Sequence, residues 1–536
     1  MTQGIDRHQL KALLRAYFVI STRAMPVGIT GNKRVRTLPF ILAIYAVLGF
    51  VLGAMAPIVE STFVFALFVH TMAFFIVGTM ALNEAAEVLF NARDVDVFGF
   101  RPVNGPTLVL AKGLTILGFC GAMALAVNLG PAVLGFLCKD AHGWFGAVHL
   151  VSAAFETVFL CAVAVCSYGV IARFLGAERF QRFVTAAQIA STLVLVLGFQ
   201  VLPRLARRVD WSGDLDSLSA LWLLPPAWFA ALDVALAGKS ATSTATIAAA
   251  FGVAVTIGLA WLGVLRLPAG FTGAESRMGA PAAPSSAPPA TSKSVESGWS
   301  RWRVWRSWMP DPAERAVFRL CVTYVLRDRA LKVRLAASLA YFLVLPILSL
   351  MDEKSGGAMP IVLVWMLGVA PLSALESVRL SSTPEGAELF LFTPVQRSIA
   401  LFQGARKAVL LCIVLPLVVW SMGVAGYVLR DTPEKLLFAL PGLLMIGPMS
   451  LVSGLRGDFI PLSQAVRSGE RASQVLAMFL TMLPLAMIGS GVAIAVHFGY
   501  VRTALFGSTA LALALHAGLS ALVRRRSRAA SLRRVT

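Results

Sequence analysis

The chain has 536 residues, 57% of them hydrophobic and only 14% charged, against about 45–50% and 25% in soluble domains. That composition excludes an ordinary soluble globular protein and predicts an all-α polytopic membrane protein. The net charge of +20 does not point to nucleic acid, because the basic residues concentrate between and beside the apolar runs.

In chain order, residues 7–20 form a basic amphipathic stretch with Leu10, Leu13, Leu14 and Phe18 as its apolar side. Twelve spans follow, each near the ~20 residues needed to cross the hydrocarbon core. The first six are expected at 38–59, 62–83, 107–128, 146–171, 184–203 and 243–266. The second six are expected at 335–351, 359–378, 403–429, 436–453, 474–498 and 503–522. The first run is not a signal peptide: Ala54-Met55-Ala56 resembles a cleavage site, but Pro57 follows directly and the run continues.

Between the fifth and sixth spans lie about 40 residues that include Trp211. Within them, residues 219–237 are apolar but interrupted by Pro225, Pro226 and Asp233, which reads as an external interfacial or re-entrant helix. The fragment Asp233 to Ser240 ends in Gly-Lys-Ser like a phosphate loop, but Asp233 replaces the first glycine and would repel phosphate. Residues 268–298, rich in Pro, Ala, Ser and Gly, read as a disordered joint. Trp299, Trp302, Trp305 and Trp308, interleaved with Arg301, Arg303 and Arg306, then fit a helix in the lipid headgroup region. A second amphipathic stretch covers 313–334.

The chain repeats itself at an offset of 292 residues. Glu84 falls on Glu376, Phe98-x-Phe100-x-Pro102-Val103 on Phe390-x-Phe392-x-Pro394-Val395, and Glu178-Arg179 on Glu470-Arg471. These matches lie in polar segments, where apolar bias cannot generate them, and they predict a tandem 6+6 duplication. The expected organisation is a first unit over 1–267, a linker and interfacial segment over 268–312, and a second unit over 313–536. Lys and Arg cluster in the N-terminal segment, the central linker and the tail Arg524-Arg525-Arg526. Both termini and the linker are therefore expected in the cytoplasm. An Ala- and Arg-rich composition fits a bacterial plasma (inner) membrane.

Ionisable groups deep in a span are costly and mark sites for attention. Glu156 sits near the middle of the fourth span, with His149 seven and Ser152 four residues earlier on the same helical face. The offset counterpart of Glu156 is Pro448, so the repeat is asymmetric here. Glu156 and His149 could line a substrate path or carry a proton, or form a buried pair that locks packing. His70, Gln188 and Gln200 read as packing residues. The six cysteines, Cys120, Cys138, Cys161, Cys166, Cys321 and Cys412, contain no Cys-x-x-Cys pair. Neither a disulfide framework nor a zinc site is expected, and no metal is assigned.

The order of these parts resembles the type-2 ABC exporter permeases. In that family an N-terminal interfacial helix precedes six spans, with a coupling helix between spans 2 and 3 and an external re-entrant helix between spans 5 and 6. Many members carry an apolar-x-x-Leu-Pro-Val-Ser-like run before span 3. Here that run is Phe100-Arg101-Pro102-Val103-Asn104, and Phe392-Thr393-Pro394-Val395-Gln396 in the second half, with Arg or Thr before the proline and no serine after the valine.

The resemblance implies two fused permease units, driven by separate cytosolic ABC ATPase subunits. This chain would bind no cofactor and use ATP only through those partners. Apart from membrane lipids, no other partner is implied: no nucleic acid, and no further permease subunit, since two units are fused. It also implies that Phe98, Phe100, Pro102, Phe390, Phe392 and Pro394 grip the ATPase, with Glu84, Glu178, Glu376 and Glu470 pairing near the joint. The same Phe-Pro run also fits simple packing of the cytoplasmic ends of spans 2 and 3. A gradient-driven secondary transporter of the major-facilitator type, also built 6+6, is the alternative. A lipid-acting membrane enzyme finds no clustered catalytic His/Asp motif in the sequence.

Overall fold

The computed structural model describes residues 6–21, 24–27, 33–59, 61–89, 103–206, 219–239, 242–266, 307–350, 358–381, 390, 398–456, 459–465, 484–492, 494–495, 498 and 500–533. Nearly all of them are helical, and they fall into two compact units, residues 1–23 with 36–286 and residues 24–35 with 287–536. Among the described residues, eight helices are long and apolar enough to cross a membrane: Thr62–Ala86, Gly105–Leu137, Phe145–Phe174, Ser243–Gly263, Met359–Arg379, Ile399–Val428, Pro433–Leu455 and Val501–Arg526. The protein is a multi-pass, all-helical membrane protein. Large apolar side chains such as Val133, Phe174, Ile247, Phe251 and Trp261 stand exposed on these helices, as a lipid-facing surface requires.

The first unit contains α1 (Arg7–Ser21), α2 (Thr37–Gly53), α3 (Thr62–Leu89), α4 (Gly105–Leu134), α5 (Phe145–Phe174), α6 (Ala177–Ala206), α7 (Pro225–Ala237) and α8 (Ser243–Arg266). The first expected span is shorter than its apolar run, because α2 ends at Gly53 and residues 54–58 turn before Pro57 can extend it. The α2 helix lies against α4 at backbone contact. A Cβ on Gly49 would stand 2.2 Å from the carbonyl oxygen of Val127, and one on Gly130 would stand 2.3 Å from the carbonyl carbon of Gly49. Gly49-x-x-x-Gly53 facing Gly130 is thus a small-residue crossing, the packing mode that works where lipid removes any hydrophobic drive between helices.

Residues 219–237 do not lie flat on the exterior of the unit. They form a short 3-10 turn (Ser219–Leu223) and then α7, which starts at Pro225-Pro226, a proline pair suited to a helix start. Ala227, Ala230, Ala231 and Val234 of α7 bury against Phe63, Ala66 and Leu67 of α3 and Ala245, Ala248 and Ala249 of α8. The end of α7 is tied to the turn between α4 and α5: His142 N–H donates to Ala237 O at 2.9 Å and Lys239 N–H to Asp140 O at 2.9 Å. Trp144 Nε1 donates to Leu236 O at 3.0 Å.

The second unit contains α9 (Pro312–Arg327), α10 (Arg329–Ser349), α11 (Ala358–Met366) running through a 3-10 turn into α12 (Ala370–Arg379), α13 (Ser398–Val409), α14 (Leu415–Val428), α15 (Leu440–Val452) and α16 (Val501–Arg533). Asp311 caps α9 by accepting from Ala313 N–H at 2.8 Å. A π turn (Leu410–Val414) joins α13 to α14. Pro416 supplies no N–H for Cys412 O and its ring crowds that carbonyl, which accounts for the widened turn. The core centres on fully buried Trp365, whose Nε1 donates to Phe438 O at 3.2 Å. Four shorter apolar helical stretches, Ile41–Gly53, Arg182–Gly198, Pro225–Ala237 and Ser338–Ile347, complete the apolar set. Of the expected eleventh span, residues 484–492 are helical and 474–483 lie outside the described residues, as does the linker 268–298.

The α2–α4 crossing yields a direct test. Gly130→Leu should lower the thermal midpoint of the detergent-solubilised protein by the equivalent of about 1–3 kcal/mol or more, because backbone atoms cannot retreat as a side chain would. Gly118→Ala on the same helix, where a Cβ meets nothing within 4 Å, should leave the midpoint unchanged.

Candidate functional site

Five side chains and one amide from four helices meet inside the first unit. His70 comes from α3, Asn128 from α4, His149, Ser152 and Glu156 from α5, and Asp233 from α7. Their positions follow from helix geometry. His70 lies eight residues into α3, Asn128 six before the end of α4, and His149 four into α5. At 1.5 Å per residue, each therefore sits about 6–12 Å from the same end of the bundle. Alpha7 is otherwise apolar and small-faced, so Asp233 enters a dry interior.

All six are at most 2% exposed, and their polar atoms are satisfied mainly by one another. His70 Nδ1 pairs with Glu156 Oε2 at 2.8 Å and His70 Nε2 with Asp233 Oδ2 at 3.1 Å. His149 Nδ1 pairs with the same Asp233 Oδ2 at 2.7 Å, and its Nε2 with Asn128 Oδ1 at 3.1 Å. Ser152 donates to Asp233 Oδ1 at 2.5 Å. Asn128 Nδ2 donates to Ala124 O at 2.8 Å, which turns its Oδ1 toward His149. Phe145 stacks on His149 with ring centroids 5.5 Å apart, and Phe229 lies 6.2 Å from His70. These rings seal the cluster in an apolar shell that strengthens every charge within it.

Of the residues expected from sequence, His149 and Glu156 do belong to one site, but not as a pair: Glu156 bonds to His70, and Asp233 links the two imidazoles. His70, expected only to pack, stands between both carboxylates. Asp233, expected in an external interfacial or re-entrant helix, is fully buried. The readable signals were the matched depths of His70, Asn128 and His149 and the single acid in the apolar run of α7. Gln188 is buried in α6, and its carbonyl accepts from Thr192 Oγ1 at 2.9 Å.

The expected ATPase-contacting residues are distributed differently. Phe98, Phe100, Pro102, Phe392, Pro394 and Glu470 lie outside the described residues. Glu84 is half-buried on α3, and Glu178 belongs to the first turn of α6. Glu376 on α12 pairs with Arg379 Nη1 at 3.4 Å. Phe390 is half-buried against the second unit's core. No family model, curated protein or solved structure matches the chain. The site is therefore interpreted on its own chemistry.

Removing the shared acceptor should be costly. Asp233→Ala leaves Ser152 and two imidazoles facing a void, and breaking one side of a buried charge network typically costs about 3–5 kcal/mol. A lowered thermal midpoint in detergent checks this. Asp431→Ala, which removes an 89% exposed carboxylate, should change stability by less than about 0.5 kcal/mol.

Proposed function

We propose that the chain is the membrane-spanning subunit of an ATP-driven transporter resembling the type-2 ABC exporters, with two fused permease units and separate cytosolic ATPase subunits. The observation that carries this reading is how the ends of the loop before α4 are held. Asn104 N–H, just after the loop, donates to Gln9 Oε1 on α1 at 3.1 Å, and Asp6 N–H donates to Thr107 Oγ1 at 3.0 Å. Leu89 O, just before the loop, accepts from buried Lys112 Nζ of α4 at 3.4 Å. The segment that carries Phe98, Phe100 and Pro102 is thus mounted on three helices at once. A motor pushing there moves α1, α3 and α4 together.

The second unit supports the same reading. Its amphipathic helix α9 docks along the second half of α13, where Lys407 Nζ pairs with Glu314 Oε1 at 2.6 Å and lies 5.2 Å over the Trp308 ring. A Cβ on Gly404 would meet Glu314 O at 2.5 Å, so the two helices touch at backbone distance. The loop before α13 is the one that carries Phe390, Phe392 and Pro394. The eight long apolar helices coincide with the second, third, fourth and sixth expected spans of each half. That regularity favours a 6+6 repeat of twelve spans; the basic N-terminal segment, linker and tail favour both termini in the cytoplasm, and the Ala- and Arg-rich composition a bacterial inner membrane. ATP acts through the partner, and this chain is no enzyme.

A second reading is favoured by the buried cluster itself. Two carboxylates and two imidazoles inside a membrane bundle are the groups that gradient-driven carriers use to move protons. In that reading His70, His149, Asp233 and Glu156 would exchange protons during transport.

The two readings separate on energy source. Vesicles holding this chain with the ATPase encoded beside it should move substrate only with ATP, and Phe100→Ala with Phe392→Ala should lower the ATPase recovered with it at least tenfold. Transport that needs a proton gradient and ignores ATP would overturn the leading reading. Under that reading Glu156→Gln should retain most ATP-driven transport, whereas the carrier reading requires that it lose it.

A further inference from the structure

The hydrogen-bond partners of the two histidines fix where their protons sit. His70 Nδ1 faces a carboxylate oxygen of Glu156, and His149 Nε2 faces the Asn128 amide oxygen, at 2.8 and 3.1 Å. Both partners are acceptors, so both of these outer nitrogens carry a proton. When each imidazole is neutral that is its one proton, and the inner nitrogens, His70 Nε2 and His149 Nδ1, present lone pairs toward Asp233 Oδ2, at 3.1 and 2.7 Å. A cation among these three electron pairs balances them, either a metal ion or a second proton on one of the rings.

We infer that His70 Nε2, His149 Nδ1 and Asp233 Oδ2 bind a divalent transition-metal ion of the zinc class. The donor set fits, since two imidazoles and one carboxylate suit zinc and exclude a calcium-type all-oxygen cage. The spacing fits as well: the three donor atoms lie within 4.8 Å of one another. Metal–ligand bonds of about 2.0–2.2 Å place tetrahedral donors about 3.3 Å apart. Reaching that spacing draws the two imidazoles toward each other, because their distances to Asp233 Oδ2 are already 3.1 and 2.7 Å. Ser152 Oγ lies beside the three donors, 3.2 Å from His70 Nε2, and holds the other Asp233 oxygen by donating to Oδ1 at 2.5 Å.

The outer shell is the second, independent point. A metal-binding histidine characteristically donates its other ring N–H to a carboxylate or carbonyl oxygen, which fixes tautomer and ring orientation. Glu156 holds His70 in that way, and Asn128 holds His149. Charge agrees too when both carboxyls are ionised: Asp233 and Glu156 then bring two negative charges into the dry interior, and one divalent ion balances them. The cluster is closed, so the ion's role is structural, clamping α7 to α3 and α5. This inference holds whichever energy source drives the protein.

The test uses the full-length chain, expressed in zinc-supplemented medium and purified in detergent. Mass-spectrometric metal analysis should find about one zinc per chain, and Asp233→Asn or His149→Gln should hold less than a tenth of that. Asn128→Ala, which removes only a rear support, should bind zinc 10- to 100-fold more weakly. Chelation of the wild-type protein near its thermal midpoint should lower that midpoint, with recovery on adding zinc but not magnesium. Cobalt added to chelated protein should give the visible absorption of a four-coordinate ion. Wild-type protein with less than a tenth of a zinc per chain and no cobalt spectrum would overturn the inference and leave extra ring protons as the balancing charge. Zinc retained undiminished in both ligand variants would overturn it as well, by placing the ion elsewhere.

Discussion

The packing of the first unit depends on a single buried carboxylate. Asp233 is carried on a helix whose buried face joins Ala227, Ala230 and Ala231 to Phe229 and Val234, and its alanines alone give little preference for register. Ala227, Ala230 and Ala231 would fit against α3 in several positions with similar apolar burial. Asp233 would not, because only one position brings its oxygens to His70, His149 and Ser152. Elsewhere in the interior it would be an uncompensated charge, at a cost of several kcal/mol. The polar contact therefore selects the position, and the small residues permit the close approach. The ties of Ala237 and Lys239 to the turn after α4 reinforce the same placement.

The described residues of the second unit hold no matching cluster, and buried Arg334 there donates to a backbone carbonyl, Leu380 O. Positions 292 residues beyond His70, Asn128, His149, Ser152 and Glu156 are Val362, Trp420, Pro441, Leu444 and Pro448. None is ionisable. Alpha7 itself belongs to the stretch of about 40 residues that the second half lacks between its last two expected spans. The second unit wraps Trp365, where a Cβ on Gly442 would stand 3.0 Å from the indole ring and one on Gly489 3.1 Å from it. Among the described residues the cluster belongs to the first unit alone, together with the helix α7 that completes it.

The sequence made the membrane class and most helix positions legible, because a long apolar run has few other uses. The eight long helices, from Thr62–Ala86 to Val501–Arg526, fall where hydropathy placed spans. Limits were less legible: α2 stops at Gly53 although the apolar run continues to residue 59, since a turn before Pro57 is a local backbone event that hydropathy ignores. Glu156 stood out as a lone acid in its span. Its partner did not, because His70 lies 86 residues away on another helix. The face shared by His149, Ser152 and Glu156 follows from helical spacing, but which atoms meet across helices depends on packing angles that periodicity does not contain. Asp233 was harder still. Two prolines before it suggested an external interfacial or re-entrant helix without showing its depth; in the folded unit they start a helix packed into the bundle.

The placement of these contacts constrains how the first unit can move. Near one end, α3, α4, α5 and α7 are joined through His70, Asn128, His149 and Asp233, a network that cannot shear without exposing buried charge. At the other end, α1, α3 and α4 are joined by single hydrogen bonds through Gln9, Thr107 and Leu89, each worth only about 0.5–1.5 kcal/mol. Asn104 and Asn128 are 24 residues apart on α4, or about 36 Å at helical rise. A tilt about the cluster therefore produces small displacements near Asp233 and large ones at the loop before α4. Stiffness at one end and compliance at the other give these helices a pivot, whatever force is applied to the loop.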